Sequence, residues 1–554
     1  MINNEVISVN LQRGNKTPYT TATVYEHWVT LNSTSDDTQR KKANSFLLHL
    51  KNQKNIVDIC TELITSYDEA TQLFAANVLF NHINDKISEI AETKDMFNKY
   101  KGFLLSQIFP KLKLNSHLQE KISMNICSAI TIFVLMGKIK YWPESIEDVI
   151  EMSKTSSDNN IFSSMILSNI YYAFTKMKVS ERDIKEMKDS LRFSFDIVNE
   201  YILNLYNIVK SSNNNNTQNQ SSTLLFQNLV NIAFSFADVG DNILTISDIV
   251  NYFLTSMPNY DNSIQQLISD CLSIILKRTK NANIYYRIKL DNSNNNNNNY
   301  MQLLLSQCDH NEIVIVGNLI NMIYNLYANY SSVSNILAIT TEQKEILFHT
   351  ANIFSSICSY YIYLMFNLDD ISSKMIEIYS FFIKCPILKV SSLFFHTIDE
   401  MKTFLDRYFK LNTYNENQKL SFMQFIFSLS DAIMMNTKLK NLNVNLRYLE
   451  KNKHTNNLSK LTLFSMLNDI NDDTDIISED ISLSSYRQNA KEAYYDLFLI
   501  IKYMFNNYGV EQYLTLLGEK LMKSPLNNIK DNSNEQQMSN DYLILVEAVL
   551  FNVD

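Results

Sequence analysis

Glycine and proline are scarce in this chain: seven and six among 554 residues. Glycine supplies left-handed backbone and close approach, and proline fixes turns, so their scarcity leaves little material for hairpins, phosphate loops or nucleophile elbows. The glycines Gly14, Gly102, Gly137, Gly240, Gly317, Gly509 and Gly518 stand alone, and no G-x-S-x-G, G-x-x-x-x-G-K-[ST] or G-x-G-x-x-G segment occurs. The eight histidines form no H-x-x-x-H or H-E-x-x-H pair, so a metal lacks a ligand set and no cofactor is expected. His82 and His396 read as capping or groove residues on helices. The six cysteines, Cys60, Cys127, Cys271, Cys308, Cys358 and Cys385, are dispersed in apolar stretches without a CxxC pair, as buried reduced thiols in a cytosolic or nuclear protein would be. These absences together exclude the usual enzyme constellations and point to binding through a helical surface.

An excess of positive charge is also missing. The net charge is −9, from 49 basic and 58 acidic residues, which argues against general nucleic-acid or membrane-surface binding and favours basic partners. The N-terminus lacks the charged-then-apolar order of a signal peptide. The most apolar stretches, such as 128–136 and 353–366, fall short of the ~20 residues that cross a bilayer. A soluble intracellular protein is the expectation.

What is present is helical periodicity. At 64.4 kDa the chain exceeds one compact core, and without Pro/Gly-rich linkers an extended repeat array is favoured over separate domains. Hydrophobic residues make up 45% and charged residues 19%, enough for a continuous core. Apolar residues step by three and four along Leu73, Ala76, Phe80, Ile83, Ile87, and again along Ile122, Ile126, Ala129, Phe133, Met136. The stepping recurs along Val316, Leu319, Ile323, Leu326, Tyr330 and along Tyr494, Leu497, Ile501, Met504, Tyr508. Period-two alternation is nowhere sustained. Short polar breaks group the helices into about ten or eleven antiparallel pairs with a period of roughly 40 to 50 residues. The expected fold is all-α, an α-solenoid of HEAT/armadillo-type repeats.

Four segments leave this pattern, at 211–222, 291–299, 452–459 and 527–540, all rich in Asn, Ser or Gln. They bury too little apolar area to offset ordering entropy and read as disordered insertions between helices. Asp469, Asp472, Asp473, Asp475, Glu479 and Asp480 crowd one further break. This segment lacks the central Gly and terminal Glu of a calcium loop, which leaves a solvated acidic loop or a dock for basic cargo.

Several ordered segments resemble the importin-β (karyopherin-β) superfamily, and within it the transportin-SR and importin-thirteen branch. Residues 35–47, SDDTQRKKANSFL, resemble the first-repeat pattern of acidic turn, basic helix start, Ala and an aromatic-Leu pair. Residues 73–79, LFAANVL, resemble the phenylalanine-double-alanine helix of the second repeat, in which adjacent alanines admit a neighbouring helix while Phe74 and Leu79 fill the space beside it. Residues 390–395, VSSLFF, resemble a mid-chain repeat, with Ile398 where the family usually carries tryptophan. Residues 486–497, preceded by Glu479 and Asp480, resemble the Tyr/Phe-Arg helix entry, and 509–518 continue it. Residues 547–551, EAVLF, are similar to the next repeat, with Leu543 in place of a usual tryptophan beside Tyr542.

The resemblance spans about the first half of a typical member. It implies residues 1–21 as a flexible N-terminus, 22–140 as N-terminal Ran-binding repeats, 141–526 as continuing HEAT-type repeats, and 527–554 as a polar loop opening a truncated repeat. It implies a nuclear transport receptor shuttling between cytoplasm and nucleus. The implied partners are Ran in its GTP form, protein cargo and the FG-repeat proteins of the nuclear pore, with no direct nucleic acid and no membrane. Ran contacts are implied at Arg40 and Lys41 of the first repeat and at Gln72, Asn77, Asn81, His82 and Lys86 of the second. The arginine-rich helix that grips Ser/Arg-type cargo lies in the half not present, so cargo specificity is not implied. A HEAT-repeat scaffold without Ran dependence has the same composition.

Overall fold

The computed structural model describes residues 18–214, 220–239, 247–290, 300–331, 339–366, 370–411 and 422–433, and scattered positions between 489 and 515. The chain divides into two compact units, Met1–Asp241 and Asn242–Asp554. Among the described residues every regular element is helical.

The first unit holds α1 (Thr21–Ser33), α2 (Asp37–Leu48), α3 (Ile56–Ser66), α4 (Glu69–Ile90), α5 (Lys94–Gly102) and α6 (His117–Ile139). It continues with α7 (Ser145–Ser153), α8 (Ser157–Ser168), α9 (Ile170–Lys176), α10 (Glu181–Leu191), α11 (Phe195–Asn214) and α12 (Gln220–Val239). The second unit holds α13 (Ser247–Ser256), α14 (Asn262–Lys277), α15 (Lys280–Leu290), α16 (Tyr300–Gln307), α17 (His310–Ser331) and α18 (Thr341–Tyr360). After these come α19 (Asp370–Lys384), α20 (Leu388–Ser391) and α21 (Phe395–Leu411).

The polar breaks in the sequence are where helices start. Asp36 accepts from the backbone N–H groups of Thr38 and Gln39, Asp68 from those of Ala70 and Thr71, and Ser116, Ser156, Ser180 and Asp261 cap α6, α8, α10 and α14 in the same way. Thr20 with Thr23, and Thr340 with Gln343, close full capping boxes. Each such cap is worth about 1 kcal/mol, so a chain poor in Gly and Pro still punctuates its helices sharply.

Short polar turns separate the helices, and hydrogen bonds at a constant sequence offset show which helices of neighbouring pairs stack in parallel. Ser116 donates to Glu69, Gln119 to Gln72 and Asn125 to Asn77, at 2.9, 2.8 and 2.9 Å, and the constant offset of 47 to 48 residues requires α4 and α6 to run the same way. The offset is 35 between α6 and α8, where the Cys127 thiol and the Thr131 hydroxyl meet Phe162 O and Ile166 O. It is 64 between α8 and α12, through Ser164 with Asn228 and the Tyr171 N–H, just past α8, with Ser235. In the second unit it is 83 between α14 and α18, through Ser269 with Asn352 and Ser273 with Ser356, and 53 between α17 and α19. This is the geometry of a helical-pair stack. The repeat length is less regular than the expected 40 to 50 residues, because α9 and α10 are added between α8 and α11, and α15 and α16 between α14 and α17.

Cores follow the predicted stripes. Ile122, Ile126, Ala129, Phe133 and Met136 are all buried, as are Ala76, Ile83, Ile87, Val316, Leu319, Ile323, Leu497 and Ile501, whereas Leu73, Phe80, Leu326 and Tyr330 are half-buried. Helix α6 runs 23 residues, longer than its 128–136 segment alone indicates, and its most apolar 18-residue window, of mean hydropathy 1.7, is 72% buried inside the fold. That burial accounts for its composition. Of the expected insertions, residues 211–214 and 220–222 are helical, as the ends of α11 and α12. Residues 215–219, 291–299, 452–459 and 527–540 lie outside the described residues.

Candidate protein-interaction surface

The two segments that carry the N-terminal resemblance lie in α2 and α4, one in each of the first two pairs. Phe46 of the first segment is stacked between Tyr19 at 4.2 Å and His27 at 3.9 Å, and the Tyr19 hydroxyl donates to Phe46 O. Phe74 of the second segment stacks on Trp28 of α1 at 4.4 Å, while Ala75, Ala76 and Leu79 have no exposed surface. Aromatic stacking thus pins the first pair to the second.

The polar side of α4 is a seam joined to α6. Gln72 is half-buried: it donates to Tyr67 O at 2.8 Å and accepts from Gln119. Asn77 is exposed and accepts from Asn125, and Asn81, one turn on, is exposed. Lys86 is half-buried and pairs with Glu89 at 2.6 Å. Arg40 and Lys41 stand exposed on α2, where among the described residues neither makes an ion pair.

His82 departs from its expected place. It is turned inward, 7% exposed, with Nδ1 2.7 Å from Lys51 O and Nε2 2.9 Å from the Tyr100 hydroxyl. Burial holds its pKa below the ordinary histidine value, and Lys51 O opposes that only in part. The ring therefore bolts α4 to α5 and to the turn after α2, and presents no atom to a partner.

Sequence reasoning missed Asp85, three residues further along α4. Its carboxylate accepts from Lys178 at 2.7 Å and from Lys51 at 3.3 Å, and the Lys178 contact is the chief reason its pKa lies below the ordinary carboxylate value. Lys178 lies 93 residues away, between α9 and α10, a separation no periodicity reveals. Asn77, Asn81 and Asp85 recur at every fourth residue, so one stripe of α4 offers amides at one end and a clamped carboxylate at the other.

The six acidic positions Asp469, Asp472, Asp473, Asp475, Glu479 and Asp480 lie outside the described residues, as do 547–551. Among the described residues no group of three His, Cys, Asp or Glu side chains converges as a metal site would require. Cys60, Cys127, Cys271, Cys358 and Cys385 are buried and Cys308 half-buried. Burial pushes the Cys60 thiol up to about 12, and raises those of Cys127, Cys271 and Cys358 as well, which keeps them from acting as thiolates near neutrality.

No family model matches the chain. No curated protein matches it in sequence. Among solved structures, an engineered protein is 12% identical with a TM-score of 0.34, the match covering 95% of this chain and 98% of that one. Kap95p, whose binding induces the switch loops of RanGDP to adopt the GTP-bound conformation, is 11% identical with a TM-score of 0.30, over 96% of this chain and 77% of Kap95p. Kap121p bound to Pho4p is 12% identical with a TM-score of 0.32, over 95% and 57%. At this level the likeness says nothing about family or partners.

Proposed function

We propose that the chain is a nuclear transport receptor of the importin-β type, which carries protein cargo through the nuclear pore and whose cargo binding is controlled by Ran-GTP at its N-terminal helix pairs. The observation that supports this most is the placement of the two family-like segments, 35–47 and 73–79, in consecutive stacked pairs joined through the Trp28–Phe74 contact. A stack of this kind responds to a partner by many small adjustments between helices, and linkage then requires that cargo and Ran weaken or strengthen each other by the same factor.

Within this reading the Ran-facing group is Arg40, Lys41, Gln72, Asn77, Asn81 and Lys86, with His82 supporting α4 from inside. The negative net charge favours basic cargo, FG-repeat proteins are the partners at the pore, and the protein shuttles between cytoplasm and nucleus. Neither a nucleic acid nor a membrane is a direct partner.

The test is binding of the full chain to Ran loaded with a non-hydrolysable GTP analogue or with GDP, measured by calorimetry. The GTP form should bind, and R40E/K41E should weaken it by about tenfold, the cost of reversing two exposed rim charges. Equal binding of both nucleotide forms, or of neither, would overturn the receptor reading and leave a helical scaffold independent of Ran.

A further inference from the structure

Away from the α4 stripe, a groove of about 520 Å³ opens between α5 and α7, lined by Lys101, Leu105, Trp142, Asp148, Glu151, Met152 and Thr155. Its floor is built as a platform. Trp142 is 4% exposed, and its indole N–H donates to Asp148 Oδ2 at 2.6 Å. Its backbone N–H donates to Gly137 O at 2.7 Å, and a Cβ on Gly137 would come within 3.0 Å of the Trp142 Cβ. The indole is therefore fixed from behind and at its edge, with one face left toward the groove.

That face already carries a cation. The Lys101 ammonium lies 3.6 Å from the centre of the indole ring and, among the described residues, forms no ion pair. Burial lowers its pKa, with the charges of Asp148 and Glu144 opposing. An ammonium held this way is attracted by the ring quadrupole and the surrounding carboxylates, and it gives up water to be there. One lysine side chain fills only a part of the groove, and Leu105 and Met152 supply apolar wall for the stem of a second. Asp148 stands at the rim beside Glu144, whereas Glu151 is engaged by Lys154. Lys101 also sits two residues before a π-helical turn, Phe103–Ile108, a wider backbone form that is concentrated at functional sites.

We propose that this groove recognises an arginine side chain presented by an extended basic segment of a partner protein, and that Lys101 holds the place until the partner displaces it. Arginine fits better than lysine because a planar guanidinium stacks on the indole while its remaining N–H groups reach Asp148. Since one cation replaces another on the ring, binding to the native chain is weak, and removing Lys101 strengthens it. This inference stands on the groove alone and does not depend on Ran.

The chain has two tryptophans, Trp28 and Trp142, so in a W28F background the emission reports on Trp142 alone. The full chain is titrated with a nonapeptide containing three arginines, and with versions carrying lysine or glutamine at those positions. The arginine peptide should change Trp142 emission, the lysine peptide should bind more weakly and the glutamine peptide not at all. K101A should bind the arginine peptide about three- to tenfold more tightly, the worth of a partly desolvated cation–π contact. D148N should weaken binding about threefold, and K101Q gives a second placeholder-free chain if K101A folds poorly. Equal affinity in the native and Lys101-substituted chains, binding without a change in Trp142 emission, or equal binding of the glutamine peptide would overturn the proposal.

Discussion

Gly137 and Gly317 both lie inside helices, so replacing either by alanine removes the same backbone entropy and should gain up to about 1 kcal/mol of helix stability. Their surroundings reverse that equality. A Cβ at Gly317 meets the terminal Cδ1 of Ile371 at 2.9 Å, the far end of a side chain that can change rotamer. A Cβ at Gly137 meets Phe97 Cζ and Trp142 Cβ, both at 3.0 Å, and Trp142 Cε3 at 3.3 Å. Neither neighbour has room to move. Phe97 is fully buried between Phe133 and Tyr141, and Trp142 is tied to Asp148 and to Gly137 O itself.

Overpacking a site walled by two immobile aromatic side chains at 3.0 Å falls at the upper end of the usual range, about 2–3 kcal/mol, so after the helix gain G137A should be destabilised by about 1–2 kcal/mol. G317A should be neutral or slightly stabilised. In a unit of this size each kcal/mol moves the midpoint by about 2–4 °C. Differential scanning calorimetry of the full chain should then show one transition lowered by about 2–8 °C in G137A, and no lowering in G317A. A G137A chain as stable as the native one would refute the reasoning, because it would mean that the wall behind Trp142 yields.

Two further predictions concern histidines. In H82A the oxygens of Lys51 and Tyr100 lose a buried partner, which should cost about 2–3 kcal/mol in urea unfolding, while binding to any partner of the α4 stripe changes little at a temperature where the variant is folded. Loss of binding without loss of stability would place His82 on the surface after all. His349 is 1% exposed, and burial, assisted by Lys389, lowers its pKa from 6.5 to about 4, with Nε2 2.8 Å from Asn262 Oδ1. The folded chain refuses a proton that the unfolded chain accepts, so stability is complete above pH 6.5 and falls as the pH drops toward 4. The loss amounts to about 3 kcal/mol, and H349Q should flatten this slope in unfolding curves taken between pH 7 and 4. An unchanged slope would assign the acid sensitivity elsewhere.

Helices were legible in the sequence because burial imposes a 3.6-residue period on whichever residues fill the core, and because Thr20, Asp36, Asp68 and Ser116 are chemically suited to start a helix. The parallel register was not legible, since offsets of 47, 35 and 64 residues share no period for the eye to find. The polarity of His82 suggests an outward place, but Ala75, Leu79 and His82 stand at i, i+4 and i+7, which places it on the buried stripe of α4. The groove at Trp142 joins residues of two different pairs, so no local pattern in the sequence marks it.

The rungs that join stacked helices in each unit are mostly amides and hydroxyls, such as Gln72 with Gln119 and Ser269 with Asn352. Uncharged groups of this kind can let go and find water at little net expense, one rung at a time. Under mechanical tension such a stack should lengthen gradually, with each interface creeping before any helix unravels, as a leaf spring yields before it breaks. Load would then be shared along the stack instead of collecting at one hinge, a material property written in glutamine, asparagine and serine.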